Sequence, residues 1–312
     1  VWKLRTDKGY KLVDLSKKLI DFVWAGKAQD YDYFCKYWWG GDSPEKPSGE
    51  KLVVDDPNVS TNPYSLEDVL AAGVFLEEAQ LRLILNRLRS KKTLILQGTP
   101  GVGKTFIARR LAYALMEEEA PQRLEMVQFH QSYSYDDFVR GYRPVEEQSG
   151  AFGLQDGIFF RFCRKAANNP DDKFVFIIDE INRGNLSLIF GELLMLIEAD
   201  KRGEEYAVPL VYHKPDEPRF FVPANVYLIG LMNVADRSLA MVDYALRRRF
   251  AFSTLQPQYE SPLFRQWLAD RSMQSQIIDL IIERLMRLNR EISSDPLLGE
   301  NYQLGHSYFC PK

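Results

Sequence analysis

The stretch Gly98-Thr99-Pro100-Gly101-Val102-Gly103-Lys104-Thr105 restricts the fold of this chain more than any other feature. It fits G-x-x-x-x-G-K-[ST] at every fixed position. An apolar run, Thr93-Leu94-Ile95-Leu96, reads as a buried strand just before it, and a helical stretch from Phe106 to Leu115 follows. A chain that passes from strand through a glycine-rich turn into a helix aims amide N–H groups and the positive helix end at one point, where phosphate oxygens bind. Phosphate contacts are expected from Gly98, Thr99, Pro100, Gly101, Val102, Gly103, Lys104, Thr105 and Phe106, with Lys104 as a point charge at the β and γ phosphates and Thr105 as a Mg²⁺ ligand.

The flanking text alternates strand and helix. Met126 to Phe129, Phe174 to Ile178, Val226 to Leu231 and Phe250 to Phe252 are further apolar strand candidates separated by helical stretches. That pattern predicts an α/β fold with a five-stranded parallel sheet flanked by helices. Ser65 and Asp68 read as a helix cap before an apolar helical run through Leu81, Ile84, Leu85 and Leu88. Beyond Pro262 the strands stop, and Ile277, Ile278, Ile281, Ile282, Leu285 and Leu288 mark an amphipathic helix of a small helical lid. The division expected is 1–63 as an aromatic-rich segment and linker, 64–258 as the large α/β domain and 259–312 as an incomplete lid. In the first part, residues 12–24 look helical, Trp24, Tyr31, Tyr33, Phe34, Tyr37, Trp38 and Trp39 cluster, and residues 40–63 have linker composition.

Three strand ends carry chemistry. Phe174-Val175-Phe176-Ile177-Ile178-Asp179-Glu180 is an apolar strand that closes on two carboxylates at the sheet edge where ligands of such folds bind. With a phosphate loop in the same chain, Asp179 is assigned to the Mg²⁺ shell and Glu180 to the general base that polarises a water. Asn233 ends the strand from Val226 and is placed to hold that water or sense the γ phosphate. Arg247-Arg248-Arg249 precedes the last strand. Such a run is ordinarily a solvated basic cluster, but at a protomer edge an arginine reaches a neighbour's γ phosphate, and the choice between Arg248 and Arg249 stays open. A finger acting in trans implies a closed ring.

Together these motifs resemble the AAA+ superfamily, and several strings resemble the McrB family of GTP-hydrolysing motor subunits in modification-dependent restriction systems. The strings are Gln97 to Thr105, Met126 to Tyr135, Gly141 to Pro144, Ile178 to Arg183 and, most specifically, Met232-Asn233-Val234-Ala235-Asp236-Arg237-Ser238. The resemblance implies GTP as substrate with ATP as the alternative, Mg²⁺, a hexameric ring, DNA contacts made mainly through a partner or a further N-terminal domain, and an McrC-type endonuclease partner. It also implies that Asn233 and Asp236 belong to the nucleotide site, that Arg237 acts across the protomer interface, and that Asn182 positions that arginine. His306, in Gly305-His306-Ser307-Tyr308, falls where a lid returns to the phosphates and is a second sensor candidate, with a helix cap as the other reading. Thr99 stands where the family pattern has Pro, and the first sixty residues match no methylated-DNA reader. An ATP-driven remodelling protein of the MoxR or dynein-related kind is the alternative function, and a nucleotide-locked scaffold is a third.

Composition narrows the partners. Forty basic residues face 43 acidic ones, for a net charge of −3, so no uniform positive field holds nucleic acid. The segment from Ser132 to Pro144, with Tyr133, Tyr135, Arg140, Tyr142 and Arg143, is read either as a pore lining that touches DNA or as a packed loop. No run reaches the length of a membrane span and Val1-Trp2-Lys3-Leu4 is no signal peptide, which gives a cytoplasmic expectation; the chain reads as a piece of a longer protein. Cys35, Cys163 and Cys310 are expected as reduced thiols, and His130, His213 and His306 have no metal-ligand spacing.

Overall fold

A computed structural model describes residues 2–6, 9–13, 62–144, 151–236 and 247–310. Trp2–Thr6 and Gly9–Val13 pair as two antiparallel strands. Leu12 and Val13 are therefore extended, which corrects the helical reading of residues 12–24 at its start. Tyr10-Lys11-Leu12 alternates with a period of two as well, and a run this short cannot separate the two periods. The rest of that stretch and the aromatic cluster from residue 24 to 39 lie outside the described residues.

From residue 62 the elements follow in order. Helix α1 (Leu66–Ala71) is capped by Ser65, whose hydroxyl accepts from the Asp68 amide while Asp68 Oδ2 accepts from the Ser65 amide at 2.7 Å, so the shorter carboxylate closes the box. Then come α2 (Glu78–Lys91), β1 (Thr93–Gly98) and α3 (Lys104–Met116). Next are β2 (Leu124–Gln128), α4 (Tyr135–Phe138), an antiparallel hairpin of Arg140–Pro144 with Phe152–Asp156, and α5 (Ile158–Ala167). They are followed by β3 (Phe174–Asp179), α6 (Leu186–Phe190), α7 (Leu193–Leu196), β4 (Val226–Asn233) and β5 (Ala251–Leu255). Two lid helices, α8 (Pro262–Ala269) and α9 (Ser275–Ser294), finish the order.

The five strands form one parallel sheet in the order β5-β1-β4-β3-β2. Helices cover both faces, which is why the strands are apolar throughout instead of alternating. Phe174, Phe176 and Ile178 of β3 face one core with Phe129, Phe138 and Phe159, whereas Val175 and Ile177 face the other with Leu111 and Leu115. Each such buried side chain contributes about 1.5–3 kcal/mol. A one-residue slip of β3 would exchange the two sets between cores and withdraw Asp179 from the edge. Hydrophobic burial thereby fixes the register that brings Asp179 to the strand end.

The lid has its own core of Tyr259, Phe264, Leu268, Ile278, Ile281, Leu285 and Phe309. Phe75, from the connection between α1 and α2, packs into it, and its carbonyl accepts from the Ser261 hydroxyl at 2.9 Å. Among the described residues no helix is long and apolar enough to cross a membrane. Cys163 is buried and Cys310 half-buried, and burial pushes both thiols above their ordinary values, Cys310 to about 12.

Candidate nucleotide site

The loop between β1 and α3 turns through Gly101 at φ +79° and Gly103 at φ +77°, left-handed conformations that favour glycine. Lys104 opens α3, and its Nζ donates to the carbonyls of Gly98 and Thr99 at 3.0 Å each, folding the side chain back over the loop. Burial pushes its ammonium below the ordinary lysine value, while the carboxylates of Glu180 and Asp179 pull it back up. These three charges therefore face one space, reached from β1 and β3. Thr105 and Phe106 follow in the first turn of α3.

Parallel register brings the remaining strand ends alongside. Asn233 stands opposite Gly98, and Asp179 opposite Gln128. Asn233 Oδ1 accepts from the Ala235 amide at 3.2 Å, so its side chain sits at the strand end next to the loop. Glu180 leaves the strand at φ +50°, a left-handed conformation uncommon for a residue with a side chain. Its carboxylate lies 3.1 Å from Arg183 Nε, and Arg183 Nη2 reaches Asp236 Oδ2 at 2.9 Å. A chain of ion pairs thus runs from the end of β3 to the end of β4. Asn182 is buried beside it, and its Oδ1 has no hydrogen-bond partner. Arg237 lies outside the described residues.

The arginine run is sorted by its surroundings. Arg249 is nearly buried, with its Nε 2.9 Å from Glu198 Oε1, and its carbonyl accepts from Thr93 Oγ1 at 2.5 Å. Arg248 is 67% exposed and only 3.9 Å from the same Glu198 oxygen. Arg247 is exposed. Glu198 was not singled out by sequence reasoning, because a carboxylate in the mixed run Glu198-Ala199-Asp200-Lys201-Arg202 carries no pattern. Arg183 lies within a quoted string, but only the fold reveals its two partners.

The lid returns to the loop by its backbone. The amides of Gly305 and Ser307 donate to the carbonyls of Pro100 and Gly101 at 3.0 and 2.8 Å, and the ring of Tyr308 lies against Gly101. His306 lies between these two contacts, with its side chain set among lid residues. Its ring is buried against Phe75 at 5.1 Å and near Phe264, and Nδ1 accepts from the Gln258 amide at 3.0 Å. Burial pushes its pKa down to about 4.

The aromatic segment before the hairpin is mostly packed. Tyr133 stacks on Phe129, the Tyr135 hydroxyl donates to Glu192 at 2.6 Å, and Arg140 is buried between Asp156 and Glu217 over the Phe160 ring. Tyr142 and Phe152 on the hairpin are exposed, and Arg143 pairs with Asp137.

Residues 93–250 match the AAA domain of the dynein-related subfamily, and the chain belongs to that family. Residues 280–312 match the alpha-helical lid domain of McrB. The Type IV methyl-directed restriction enzyme EcoKMcrB subunit of Escherichia coli K12 is 53% identical over 264 residues, which are 84% of this chain and 56% of that protein. The Type II restriction enzyme BsuMI component YdiS of Bacillus subtilis 168 is 27% identical over 194 residues, 52% of this chain and 56% of that one. The chain spans about half the length of these relatives. The resemblance to McrB read from the sequence strings holds.

Proposed function

We propose that the chain is the motor part of a ring-forming AAA+ GTPase that works in a modification-dependent restriction system, moving on DNA and licensing an McrC-type endonuclease. The observation that carries the hydrolytic reading is the meeting of Lys104, Asp179, Glu180 and Asn233 at one edge of the sheet, fixed by the register of β1, β3 and β4. The similarity to the E. coli restriction subunit supports the biological setting.

In this reading the loop amides and Lys104 hold the triphosphate, Asn233 orients the attacking water, and Glu180 takes its proton. Glu180 reaches past the strand end because of its left-handed backbone, and Arg183 steadies its carboxylate. The Thr105 hydroxyl and the Asp179 carboxylate would hold Mg²⁺. They are hard oxygen donors, which suits a cation that takes one or two protein oxygens and fills its remaining positions from phosphate and water. When bound, it neutralises charge on the β and γ oxygens. Arg248, exposed at the protomer edge, is the residue suited to reach a neighbour's γ phosphate in a hexameric ring, whereas Arg249 is committed to Glu198.

Turnover of GTP and of ATP, measured side by side with and without a candidate nuclease subunit, tests the proposal. GTP is expected to be preferred and its hydrolysis to rise with the nuclease. A strong preference for ATP would move the chain to the protein-remodelling alternative of the MoxR or dynein-related kind.

A further inference from the structure

Glu198 stands one residue beyond the last turn that follows α7, where its amide donates to the Met195 carbonyl at 3.3 Å and its own carbonyl accepts from Lys201 at 3.0 Å. Both bonds hold its backbone in a turn. From there the carboxylate meets two guanidiniums of adjacent residues. It pairs with Arg249 at 2.9 Å, on a side chain only 10% exposed, and approaches Arg248 at 3.9 Å, on a side chain 67% exposed. The Arg249 backbone is fixed separately, by the Thr93 hydroxyl at the start of β1.

The two contacts differ in kind. A nearly buried guanidinium needs a partner, because an uncompensated charge there costs several kcal/mol. An exposed pair at the limit of ion-pair distance holds weakly and releases readily. One carboxylate therefore does two things: it neutralises Arg249 in place, and it leaves Arg248 lightly tethered and facing outward. Removing it takes away the shared counter-charge, so the like charges on the two neighbouring residues repel more strongly and the orientation of the pair changes.

We infer that Glu198 is the positioning residue of the trans-acting arginine, anchoring Arg249 so that Arg248 is presented to the adjoining protomer's γ phosphate. This rests on the finger reading of Arg248 given above. Its contacts are with the arginine pair, and through that pair it acts on the site next door.

The test uses GTP turnover of the full chain, with binding of a non-hydrolysable GTP analogue and the unfolding midpoint recorded in parallel. Glu198→Ala is expected to lower kcat by about ten- to a hundredfold, the scale of a catalytic group misplaced by about 1 Å, with analogue affinity unchanged. Glu198→Gln, which keeps the shape of the side chain but not its charge, should lose turnover much as Glu198→Ala does, because Arg249 is held by a counter-charge. Mixing supplies the readout that a structural role would not move. Glu180→Gln subunits cannot hydrolyse but carry an intact arginine pair, so adding them to Glu198→Ala subunits should raise the turnover per Glu198→Ala site. Failure of that rescue, a loss of analogue affinity, or full turnover in Glu198→Ala while Arg248→Ala is slow would each overturn the inference. If Arg248→Ala itself kept full turnover, the finger reading would fall and this inference with it.

Discussion

Two places in this chain set residues of one chemical type side by side, and they are resolved by different physics. Asp179 and Glu180 end β3 as adjacent carboxylates, while Arg248 and Arg249 precede β5 as adjacent guanidiniums. At the carboxylates, the sorting is local: Asp179 keeps strand geometry and Glu180 breaks to φ +50°, within one residue step. At the arginines, the sorting comes from Glu198, on a different element, which takes Arg249 and leaves Arg248 in solvent. A strand end specifies its own chemistry, whereas a basic turn has its chemistry assigned by what the fold brings against it.

The carboxylate pair offers the largest test. Glu180→Gln preserves shape but removes the base, and turnover should fall by about 10³ or more, near the upper part of what general bases contribute, while analogue binding survives. Asp179→Asn should behave differently, weakening Mg²⁺-dependent nucleotide binding as well as turnover. Equal effects of both substitutions on binding would erase the distinction between the two carboxylates.

Next in size is the arginine pair. Arg248→Ala should lower turnover by about 10³, the scale of other arginine fingers, with the unfolding midpoint almost unmoved because the side chain is exposed. Arg249→Ala should act on stability instead, since it strands Glu198 and removes a nearly buried side chain; a loss of about 1–3 kcal/mol is expected on urea unfolding. The reverse pattern, with Arg249→Ala the slower enzyme and the more stable protein, would exchange the two roles.

How legible these sites were follows the same division. The apolar runs of β1, β3 and β4 announced themselves because both sheet faces are covered, and Gly98 to Thr105, Asp179, Glu180 and Asn233 came with them as strand ends. The order in which the strands pair, which sets Asn233 opposite Gly98, required the fold. Arg249 could not be told from Arg248 because its partner is distant in sequence. The surroundings of His306 were hidden for a related reason: Phe75, contributed from before β1, completes an aromatic cage around the ring. The short alternating stretch at Leu12 and Val13 was too brief to reveal its period.

The lid strap extends the comparison to a contact that uses no side chain at all. A Cβ on Gly305 would stand 2.0 Å from the Gly101 carbonyl carbon and 2.1 Å from its oxygen, so Gly305→Ala must push the strap off the loop. The two backbone hydrogen bonds at Pro100 and Gly101 would be lost, at about 1 kcal/mol each. A drop of about 2 kcal/mol in unfolding free energy is expected, together with weaker analogue binding. Unchanged binding would mean that the strap stabilises the lid without shaping the phosphate loop.

The smallest effect concerns His306, whose contrast with Arg249 is one of compensation. Arg249 is nearly buried and has Glu198 at 2.9 Å, but the His306 ring is surrounded by Phe75, Tyr259 and Phe264, and its Nδ1 accepts a backbone N–H. Burial alone depresses its pKa from 6.5 to about 4. The unfolded chain thus takes up a proton near pH 6.5 while the folded chain declines it until near 4. Stability is full above 6.5, falls as pH drops through the interval, and levels off below it. Between pH 8 and pH 5.5 this group should cost about 1 kcal/mol of unfolding free energy. Urea titrations at those two pH values, on the parent and on His306→Asn, measure it: Asn keeps an acceptor for the Gln258 amide but does not titrate, so its stability should change less across the interval by that amount, even from a lower starting value. Equal losses in both proteins would mean that the ring accepts a proton where it lies, and the cage of Phe75, Tyr259 and Phe264 would not be what keeps this histidine neutral.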